Sequence, residues 1–400
     1  MKIELFHFNE MQELLDISIK RLVNYCEHER FRGYDPYDTL NSFLSFGLIG
    51  KWGPLIAIQI QKRNPINIRP LIGIQKEINP KGAGLFLKAY CILYKITSSD
   101  KYLEKAHDLF RWLNANYSQG YSGHAWGYNF DWASPGSYVK AHTPSVVVTS
   151  FVVDGIYEYY KLTKDLEARK IIISSAHYIL KDIPVTETEE GISFAYTHLS
   201  TGNCYNASLL AAEILAKADN IDEGGSYSTL IHKSIDFVLS KQNTNGSWYY
   251  SYDPILKKER KQIDFHQGFI LVSLLNLKNL LVSPRNDVKD ALGKGLEYYR
   301  KYQFFDNGRS LWRMPRKWPI DIHNQSQGII TFSRLKNYHP SYISFANTIA
   351  YWTIKNMQSR KGYFYYRKTP LFINKTPYIR WSQAWMMLAL TELFCSNESE

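Results

Sequence analysis

The sequence has few of the features that mark secreted, zinc-binding or membrane-spanning proteins. Its 400 residues include only four cysteines, at positions 26, 91, 204 and 395, and none of them forms a Cys-x-x-Cys pair. This usage argues against a structural zinc site or a disulfide framework and is typical of a reducing compartment. No long uninterrupted apolar run occurs either, so we expect no membrane span.

The N-terminal residues lack the apolar stretch that a signal peptide needs, so we expect a cytoplasmic protein. The net charge of +11 favours an anionic partner, which could be nucleic acid, an acidic membrane face or an acidic polysaccharide. Only residues 257–261 form a dense basic cluster, and no nucleic-acid-binding motif is present. We therefore expect no nucleic-acid partner.

Aromatic residues, in contrast, are plentiful. The chain has 30 Tyr, 20 Phe and 10 Trp, and 45% of its residues are hydrophobic, enough for a large core. Tyr and Trp combine a flat apolar face with a polar group, which suits packing against sugar rings. The composition therefore favours a globular protein with a carbohydrate ligand.

A polar start signal followed by an apolar helix recurs six times along the chain. Successive signals are separated by 63, 61, 61, 57 and 55 residues, and this near-constant spacing indicates an internal repeat. The six signals are Asn79-Pro80, His142-Thr143-Pro144, Asn203-Cys204-Tyr205-Asn206, Asp264-Phe265-His266, Asp321-Ile322-His323 and Thr376-Pro377.

Two kinds of helix alternate around these signals. Residues 145–160, 207–218 and 268–281 are apolar on nearly all sides, which is typical of buried helices. One-sided apolar stripes mark six further helices at 11–25, 101–117, 166–180, 227–239, 287–302 and 341–357. The alternation predicts an all-α fold: a single domain, residues 1–400, forming an (α/α)6 toroid of six helical hairpins with short β-hairpins in its long loops.

The connections from outer to inner helices are long, at roughly twenty residues, and loops of that length in a compact domain are usually functional. They gather at one rim, beside inner-helix N-termini whose free N–H groups favour anions and hydroxyls. We therefore expect the functional site at this rim. An extra segment, residues 31–80, is expected to cover part of it.

Two sets of residues are candidates for proton transfer. One lies in the loop string 123–132, which mixes His124, Tyr128 and Asp131 with tryptophans. The other is an Ile-Asp-x-His pattern at two inner-helix starts, comprising Asp264, His266, Asp321 and His323. Aspartate at a helix start is also a good N-cap, whereas histidine exchanges protons near neutrality. No third ligand accompanies the histidines, so we expect no metal site.

Further residues near the helix starts are candidates for substrate binding. Arginine binds carboxylates through two parallel hydrogen bonds, and aromatic rings stack on sugars. Five aspartates, at positions 35, 38, 131, 264 and 321, could supply the carboxylate pair of a glycoside hydrolase. The predicted binding residues are Arg32, Tyr34, Asp35, Asp38, Trp126, Trp132, His142, Trp248, Arg316, Trp318, Arg380 and Trp381.

The repeat resembles the six-hairpin toroid of N-acylglucosamine 2-epimerases, unsaturated glucuronyl hydrolases and several polysaccharide lyases. The glucuronyl C5-epimerase catalytic domain is similar in architecture, although no motif of it matches here. Two strings, residues 33–38 and 126–132, resemble those of VpsJ-type bacterial polysaccharide-biosynthesis proteins. Triterpene cyclases and lanthionine cyclases also have toroids, but their Asp-rich motif and their Cys-His zinc ligands are absent from this sequence.

These resemblances, with the rim cations, imply an enzyme acting on an acidic, uronate-containing glycan. The favoured reaction is C5 epimerisation or β-elimination, which both begin with removal of the proton next to a carboxylate. His124, Tyr128, His266 and His323 are the candidate acids and bases, and Arg316 and Arg380 the candidate carboxylate clamps. Inverting hydrolysis, sugar 2-epimerisation and a non-catalytic glycan-binding or scaffold role remain alternatives. We expect no cofactor, and the oligomeric state stays open.

Overall fold

The computed structural model describes residues 2–50, 52–134, 137–200, 203–222, 227–253, 257–283 and 285–398. Within these ranges the chain is mainly helical. Its helices are α1 (Lys2–His28), α2 (Gly53–Arg63), α3 (Pro80–Thr97), α4 (Asp100–Ala115), α5 (Val146–Thr163), α6 (Leu166–Asp182), α7 (Tyr205–Ile221), α8 (Ser228–Ser240), α9 (His266–Leu280), α10 (Asn286–Gln303), α11 (Ile322–Arg334), α12 (Ser341–Met357) and α13 (Trp385–Glu398).

The helices form two concentric rings. The inner ring is α3, α5, α7, α9, α11 and α13, and each packs on the next, with α13 returning to α3. The outer ring is α1, α4, α6, α8, α10 and α12. This arrangement confirms the predicted (α/α)6 toroid. The predicted helices lie close to the observed ones because the two hydrophobic patterns correspond to the two rings.

Short antiparallel strands occupy the long loops, as predicted. They are β1 (Trp132–Ser134), β2 (Ser137–Val139), β3 (Val185–Thr188), β4 (Gly191–Phe194), β5 (Asn203–Cys204), β6 (Ser251–Asp253), β7 (Lys258–Arg260), β8 (Ile320–Asp321), β9 (Arg367–Lys368) and β10 (Ile373–Asn374). They form two hairpins, β1-β2 and β3-β4, and two three-stranded sheets, β5-β6-β7 and β8-β9-β10. These pairings stiffen the rim at which the inner helices begin.

Five of the long loops each carry a glycine that lies against the backbone of the next outer helix. A Cβ on Gly123 would be 1.8 Å from the Ser174 carbonyl oxygen of α6, and one on Gly362 would be 2.2 Å from the Arg21 carbonyl oxygen of α1. Only glycine permits so close an approach. Gly191, Gly246 and Gly308 lie in the same way against α8, α10 and α12. The glycines of the Gly-aromatic pattern therefore let the long loops pack closely against the outer helices.

The contact of Gly362 with α1 belongs to a seam that closes the ring between the first helix and the last repeat. The Ser18 hydroxyl donates to Gln358 Oε1 (2.9 Å), and the Arg21 guanidinium donates to the Ser359 carbonyl oxygen (2.8 Å). One hydrophobic core cluster runs through both rings, from Leu15 to Leu393. The hydrophobic core is therefore continuous across the seam, from α1 to the last repeat.

The extra segment that follows α1 folds as short 3-10 turns around α2. These turns are Asp38–Asn41, Phe46–Ile49 and Arg69–Ile72. Helix α2 packs against the first two turns and against β1. The segment thus lies over the rim at which the inner helices begin.

Six charged side chains form a ring at or beyond the midpoint of the inner helices, which we call the charge belt. Its members are Lys88, Asp154, Glu213, Lys217, Arg334 and Glu392, with Asn276 joining Glu213 to Arg334. Three cations alternate with three carboxylates, so the belt is neutral overall. A narrow cavity of ≈ 30 Å³ lies between the belt and the rings of Phe151, Phe269 and Trp385.

No helix in the described part of the chain is both long enough and apolar enough to cross a membrane.

Candidate active site

The candidate active site lies at the rim, at the N-terminal ends of the inner helices. Three side chains occupy equivalent positions there, because each lies two residues after the polar residue that opens a start signal. They are Lys81 at the start of α3, His266 at the start of α9 and His323 at the start of α11. The repeat therefore brings one lysine and two histidines to the same level of the toroid.

His266 and Asp264 form a hydrogen-bonded pair. Nδ1 of His266 is 2.5 Å from Oδ1 of Asp264, and the same carboxylate oxygen accepts the backbone N–H of His266 (3.1 Å). The other oxygen of Asp264 accepts a hydrogen bond from the Gln262 side chain (2.6 Å). Burial alone would raise the pKa of Asp264, but the contacts with His266 hold that pKa below its usual value. The His266 side chain remains 20% exposed, so its ring reaches the rim.

Aromatic rings surround both histidines. Phe265 lies 4.3 Å from the His266 ring and 4.6 Å from the His323 ring, measured between centroids. His323 stacks on Trp381 at 4.4 Å and is almost fully buried. Burial, with Lys81 and Arg380 as further causes, holds the pKa of His323 well below its usual value. His323 is therefore neutral at neutral pH, and its Nδ1 has no partner among the described residues.

Asp321 is fully buried and has several donors. Its carboxylate accepts from Arg367 Nε (2.6 Å), from Trp381 Nε1 (2.8 Å) and from the His323 backbone N–H (3.0 Å). The last contact makes Asp321 the N-cap of α11, and aspartate is a favoured residue at that position. Asp321 therefore orients Trp381 and His323.

The extra segment supplies two more carboxylates, and each binds an arginine. Asp35 forms two hydrogen bonds with Arg380, from Nε to Oδ2 (2.6 Å) and from Nη2 to Oδ1 (2.8 Å). Asp38 accepts from Arg69 Nε (2.6 Å), yet burial raises its pKa to about 6. All four side chains are buried. The guanidinium of Arg380, which the sequence predicts to be a carboxylate clamp, is thus already occupied by Asp35.

Two lysines at the site have no carboxylate partner among the described residues. Lys81 is 4% exposed, and its Nζ lies 4.2 Å from the ring centre of Phe151 and 5.3 Å from that of Trp385. Burial, with Arg380 as a further cause, lowers the pKa of Lys81 well below its usual value. Lys62 contacts the Tyr37 hydroxyl, and burial lowers its pKa to about 7. Both lysines are unneutralised cations when they are protonated.

Tyr128 reaches the same site from the loop between α4 and α5. The Arg380 guanidinium lies over its ring at 4.8 Å, and Phe130 stacks on it at 5.1 Å. Burial raises the pKa of Tyr128. A neutral phenol therefore stands beside the buried Arg380.

The site thus combines ten of the residues predicted from the sequence. The structure brings together Tyr34, Asp35, Asp38, Tyr128, Asp264, His266, Asp321, His323, Arg380 and Trp381. The Ile-Asp-x-His pattern accounts for four of them.

Other predicted residues serve the framework. Trp126 and Trp248 are buried and donate through Nε1 to the carbonyl oxygens of Leu113 and Val238, at the ends of the preceding outer helices. His124 lies between outer helices, where Nδ1 is 2.9 Å from the Ser174 hydroxyl. These three side chains therefore face the packing between the rings, away from His266.

The remaining predicted residues lie around the outside of the rim. Asp131 braces the β1-β2 hairpin by accepting from Tyr138 (2.6 Å), Lys140 (3.0 Å) and the Ala141 backbone N–H (2.7 Å). Trp132 contacts Tyr196 edge to face at 6.4 Å. Arg32, His142 and Arg316 are exposed, and Trp318 packs under Arg309.

Sequence reasoning missed Lys62, Lys81, Arg69 and Arg367. A signal for Lys81 was present, because Asn79-Pro80-Lys81 aligns with Asp264-Phe265-His266 and Asp321-Ile322-His323. Lys62 has no equivalent position in the other repeats, because the extra segment that contains it lies outside the repeat. Among the described residues, no group of three or more His, Cys, Asp or Glu side chains is placed to hold a metal ion.

No protein-family model matches the chain, and no curated protein resembles it in sequence. Solved structures do resemble it in fold. An unsaturated glucuronyl hydrolase specific for heparin superposes with a TM-score of 0.64 at 12% identity, over 96% of each chain. Cellobiose 2-epimerase from Bacillus thermoamylovorans gives 0.62 at 13%, over 80% of this chain and 87% of that one.

A GH76 α-mannanase from Bacteroides thetaiotaomicron gives a TM-score of 0.60 at 11% identity, over 80% of this chain and 86% of that one. At such identities the likeness establishes the toroid fold and leaves the reaction open.

Proposed function

We propose that the protein is a carbohydrate-active enzyme that removes a proton from a carbon next to a carbonyl group, acting on uronate residues of an acidic polysaccharide during its biosynthesis or modification. The observation that carries this proposal is the Asp264–His266 pair, which presents a partly exposed imidazole among aromatic rings. The VpsJ-like strings support a role in polysaccharide synthesis, and we place the activity in the cytoplasm.

The pair suits His266 for the role of general base. Because Asp264 holds Nδ1, Nε2 is the atom that can take the proton from C5 of a uronate, and Asp264 then stabilises the imidazolium. The electron pair of the broken C–H bond moves into the carboxyl group as an enediolate. Proton return to the opposite face, from the phenol of Tyr128, gives the C5 epimer. Cleavage of the C4–O4 bond, with a proton passing to the departing O4, instead gives a 4,5-unsaturated uronate and a new chain end.

Lys81 and Lys62 support an acidic substrate. A cation stabilises the charge that develops on the enediolate oxygens. The buried arginines of the site already pair with aspartates, namely Arg69, Arg367 and Arg380, whereas these two lysines do not. A substrate carboxylate would supply the anion that they lack.

The same contacts argue against inverting hydrolysis. Hydrolysis needs one carboxylate free to activate water and a second that carries a proton. Asp35, Asp38 and Asp321 are buried and each accepts hydrogen bonds from an arginine, which occupies their oxygens and leaves none of them free to activate water. We therefore rank a hydrolase below proton abstraction.

A second candidate function is sugar 2-epimerisation, which the two histidines favour. His266 and His323 come from consecutive repeats and contact the same phenylalanine, so one could remove and the other return the proton at C2 of a reducing sugar. Two of the proteins with this fold are cellobiose 2-epimerases. The two candidates share a chemical step and differ in which carbon exchanges its proton.

Incubation in deuterated water distinguishes these functions. With a panel of uronate polysaccharides, we expect deuterium at C5 in proton NMR spectra, or the ultraviolet absorbance of an unsaturated uronate. Reducing disaccharides with neutral rings serve as the matched panel, and exchange confined to their C2 would support 2-epimerisation instead. New reducing ends without exchange would indicate hydrolysis. Binding without any turnover would support the non-catalytic glycan-binding role.

Replacing Lys81 with methionine should weaken substrate binding while stabilising the fold. Loss of one charged contact should raise KM for the acidic glycan by about 10- to 100-fold. The melting temperature should rise, because a buried amine without a carboxylate partner is replaced by an apolar chain of similar length. Enzyme kinetics and thermal melting measure the two effects.

The control for this variant is Lys140→Met, at a 76%-exposed lysine on the outer edge of the rim. It should change neither KM nor the melting temperature. An unchanged KM for Lys81→Met would contradict the role given to Lys81.

A further inference from the structure

The extra segment exposes an unusual number of large apolar side chains. Of the 19 that are exposed in the described part of the chain, eight lie between residues 43 and 71. We call these eight the apolar face. They are Phe43, Leu44, Leu48, Trp52, Ile56, Ile60, Ile66 and Leu71.

Helix α2 shows that this exposure follows a pattern. Trp52, Ile56 and Ile60 are four residues apart, so they form one stripe along the helix, and they are 50%, 52% and 65% exposed. In contrast, Gln61 is buried and the Lys62 ammonium points inward to Tyr37. The helix thus buries Ile58 together with Gln61 and also leaves an apolar stripe outward, unlike a helix whose outer side faces water.

A second loop extends the apolar face. The Asn374 side chain donates to the Asn64 carbonyl oxygen at the end of α2 (2.9 Å), which places the turn between β9 and β10 beside that helix. In this turn Leu371 is 93% exposed and Phe372 is 46% exposed. Exposed apolar side chains from two distant parts of the sequence thus meet at one side of the rim, where a binding surface is expected.

The charge around the face favours one class of partner. Residues 39–76 contain five Lys and Arg and no Asp or Glu, although the chain has 37 acidic residues in 400. Arg63 is exposed at the end of α2, and the protein carries a net charge of +11. Of these cations, Lys62 and Arg69 face the active site and Lys76 pairs with Glu29, so Arg63 is the one that borders the stripe among the described residues. An apolar stripe with tryptophan, an exposed arginine at its end and no carboxylate in its segment suits the boundary between anionic headgroups and acyl chains.

We propose that the apolar face binds the surface of an anionic lipid bilayer, with the stripe of α2 inserted at the headgroup level. This inference stands apart from the proposed reaction, because it rests on side chains that the active site does not use. It has one consequence for the site: Lys62 and Arg69 belong to the same segment, so the bilayer would lie beside the active-site rim. A glycan attached to that membrane would then be within reach.

Vesicle co-sedimentation tests the proposal. The full chain should bind vesicles of equal parts phosphatidylcholine and phosphatidylglycerol more strongly than vesicles of phosphatidylcholine alone, and added salt should weaken the binding. Ile56→Ser combined with Ile60→Ser should lower the partition coefficient at least tenfold, because two inserted side chains lose their apolar contact. Both positions are exposed, so the variant should keep its melting temperature.

The matched control combines Leu166→Ser with Val282→Ser, two apolar side chains that are 72% and 100% exposed outside the apolar face. It should bind vesicles as the unaltered protein does. An equal loss of binding in the control, or no binding to vesicles of either composition, would overturn the proposal. Concentration-dependent dimerisation that the Ile56/Ile60 variant abolishes, without vesicle binding, would assign the face to a second copy of the chain.

Discussion

Replacement of His266 by alanine is expected to lower the rate of C5 exchange by about 10²- to 10⁴-fold, the usual contribution of a general base. Glycan affinity should change little, because the aromatic rings and the lysines remain in place. Asp264→Asn should give a smaller loss, since it removes the charge that orients Nδ1 and stabilises the imidazolium. The rate of deuterium incorporation by NMR and the affinity by calorimetry measure the two effects separately.

Two other histidines are matched controls for this prediction. His124 and His142 are candidates by sequence, but the structure places His124 against Ser174 and leaves His142 exposed outside the site. Alanine at either position should leave the exchange rate within about a factor of two, since neither ring approaches the Asp264–His266 pair. If His124→Ala were as damaging as His266→Ala, the site would have to be moved to the loop between α4 and α5.

The charge belt gives the largest expected effect on stability. Lys217 is 3% exposed and bridges Asp154 (2.9 Å) and Glu213 (3.3 Å). Lys217→Met leaves these carboxylates buried with one cation fewer, which should lower the free energy of unfolding by about 3–5 kcal/mol. Glu213→Gln in the same chain should recover part of the loss, because it restores a neutral belt of two cations and two carboxylates. Chemical denaturation measures both variants.

This effect should depend on pH in a defined way. Burial opposes ionisation of Asp154, but Lys217 and Lys88 hold its pKa well below the usual value, so its stabilising contribution is lost as the pH falls into the acid range. The carboxylates raise the pKa of Lys217 against the effect of burial, so its contribution is lost only at high pH. The difference in the free energy of unfolding between the unaltered protein and Lys217→Met should therefore be largest between about pH 5 and 10.

Lys170→Met is the control on the outer surface, where the lysine is 73% exposed beside Glu167. It should change the free energy of unfolding by about 0.5 kcal/mol or less. A comparably small loss for Lys217→Met would mean that water reaches the belt and screens its charges.

The fold could be predicted because the sequence patterns that specify it are short and recur in each repeat. Each inner helix follows a start signal, three of them are apolar on nearly all sides, and these patterns do not depend on distant residues. The capping role of Asp321 was predictable for the same reason, because its side chain binds the N-terminal turn of the helix that directly follows it. The site was predictable where the repeat carries it, as at His266 and His323, because equivalent positions of a toroid converge on one rim.

The ion pairs of the site could not be predicted in the same way. Asp35 and Arg380 are far apart in sequence, and nothing near either residue indicates which partner will neutralise it. Trp126 was predicted to bind substrate but is buried in the framework. A loop tryptophan beside a glycine is equally consistent with stacking on a sugar ring and with packing between helices. Lys62 faces the site while Ile56 and Ile60 stay exposed, an orientation of α2 that its hydrophobic pattern does not predict.

The seam between α1 and the last repeat has a consequence for biosynthesis. Asp35 leaves the ribosome 345 residues before its partner Arg380, and Gln358 follows Ser18 after 340 residues. Helical hairpins can form one after another as the chain emerges, but the buried carboxylate of Asp35 stays without its guanidinium until the final hairpin is made. The unfinished chain therefore exposes the interior of an open arc, and the active site becomes complete only when the last hairpin has been made and the ring closes.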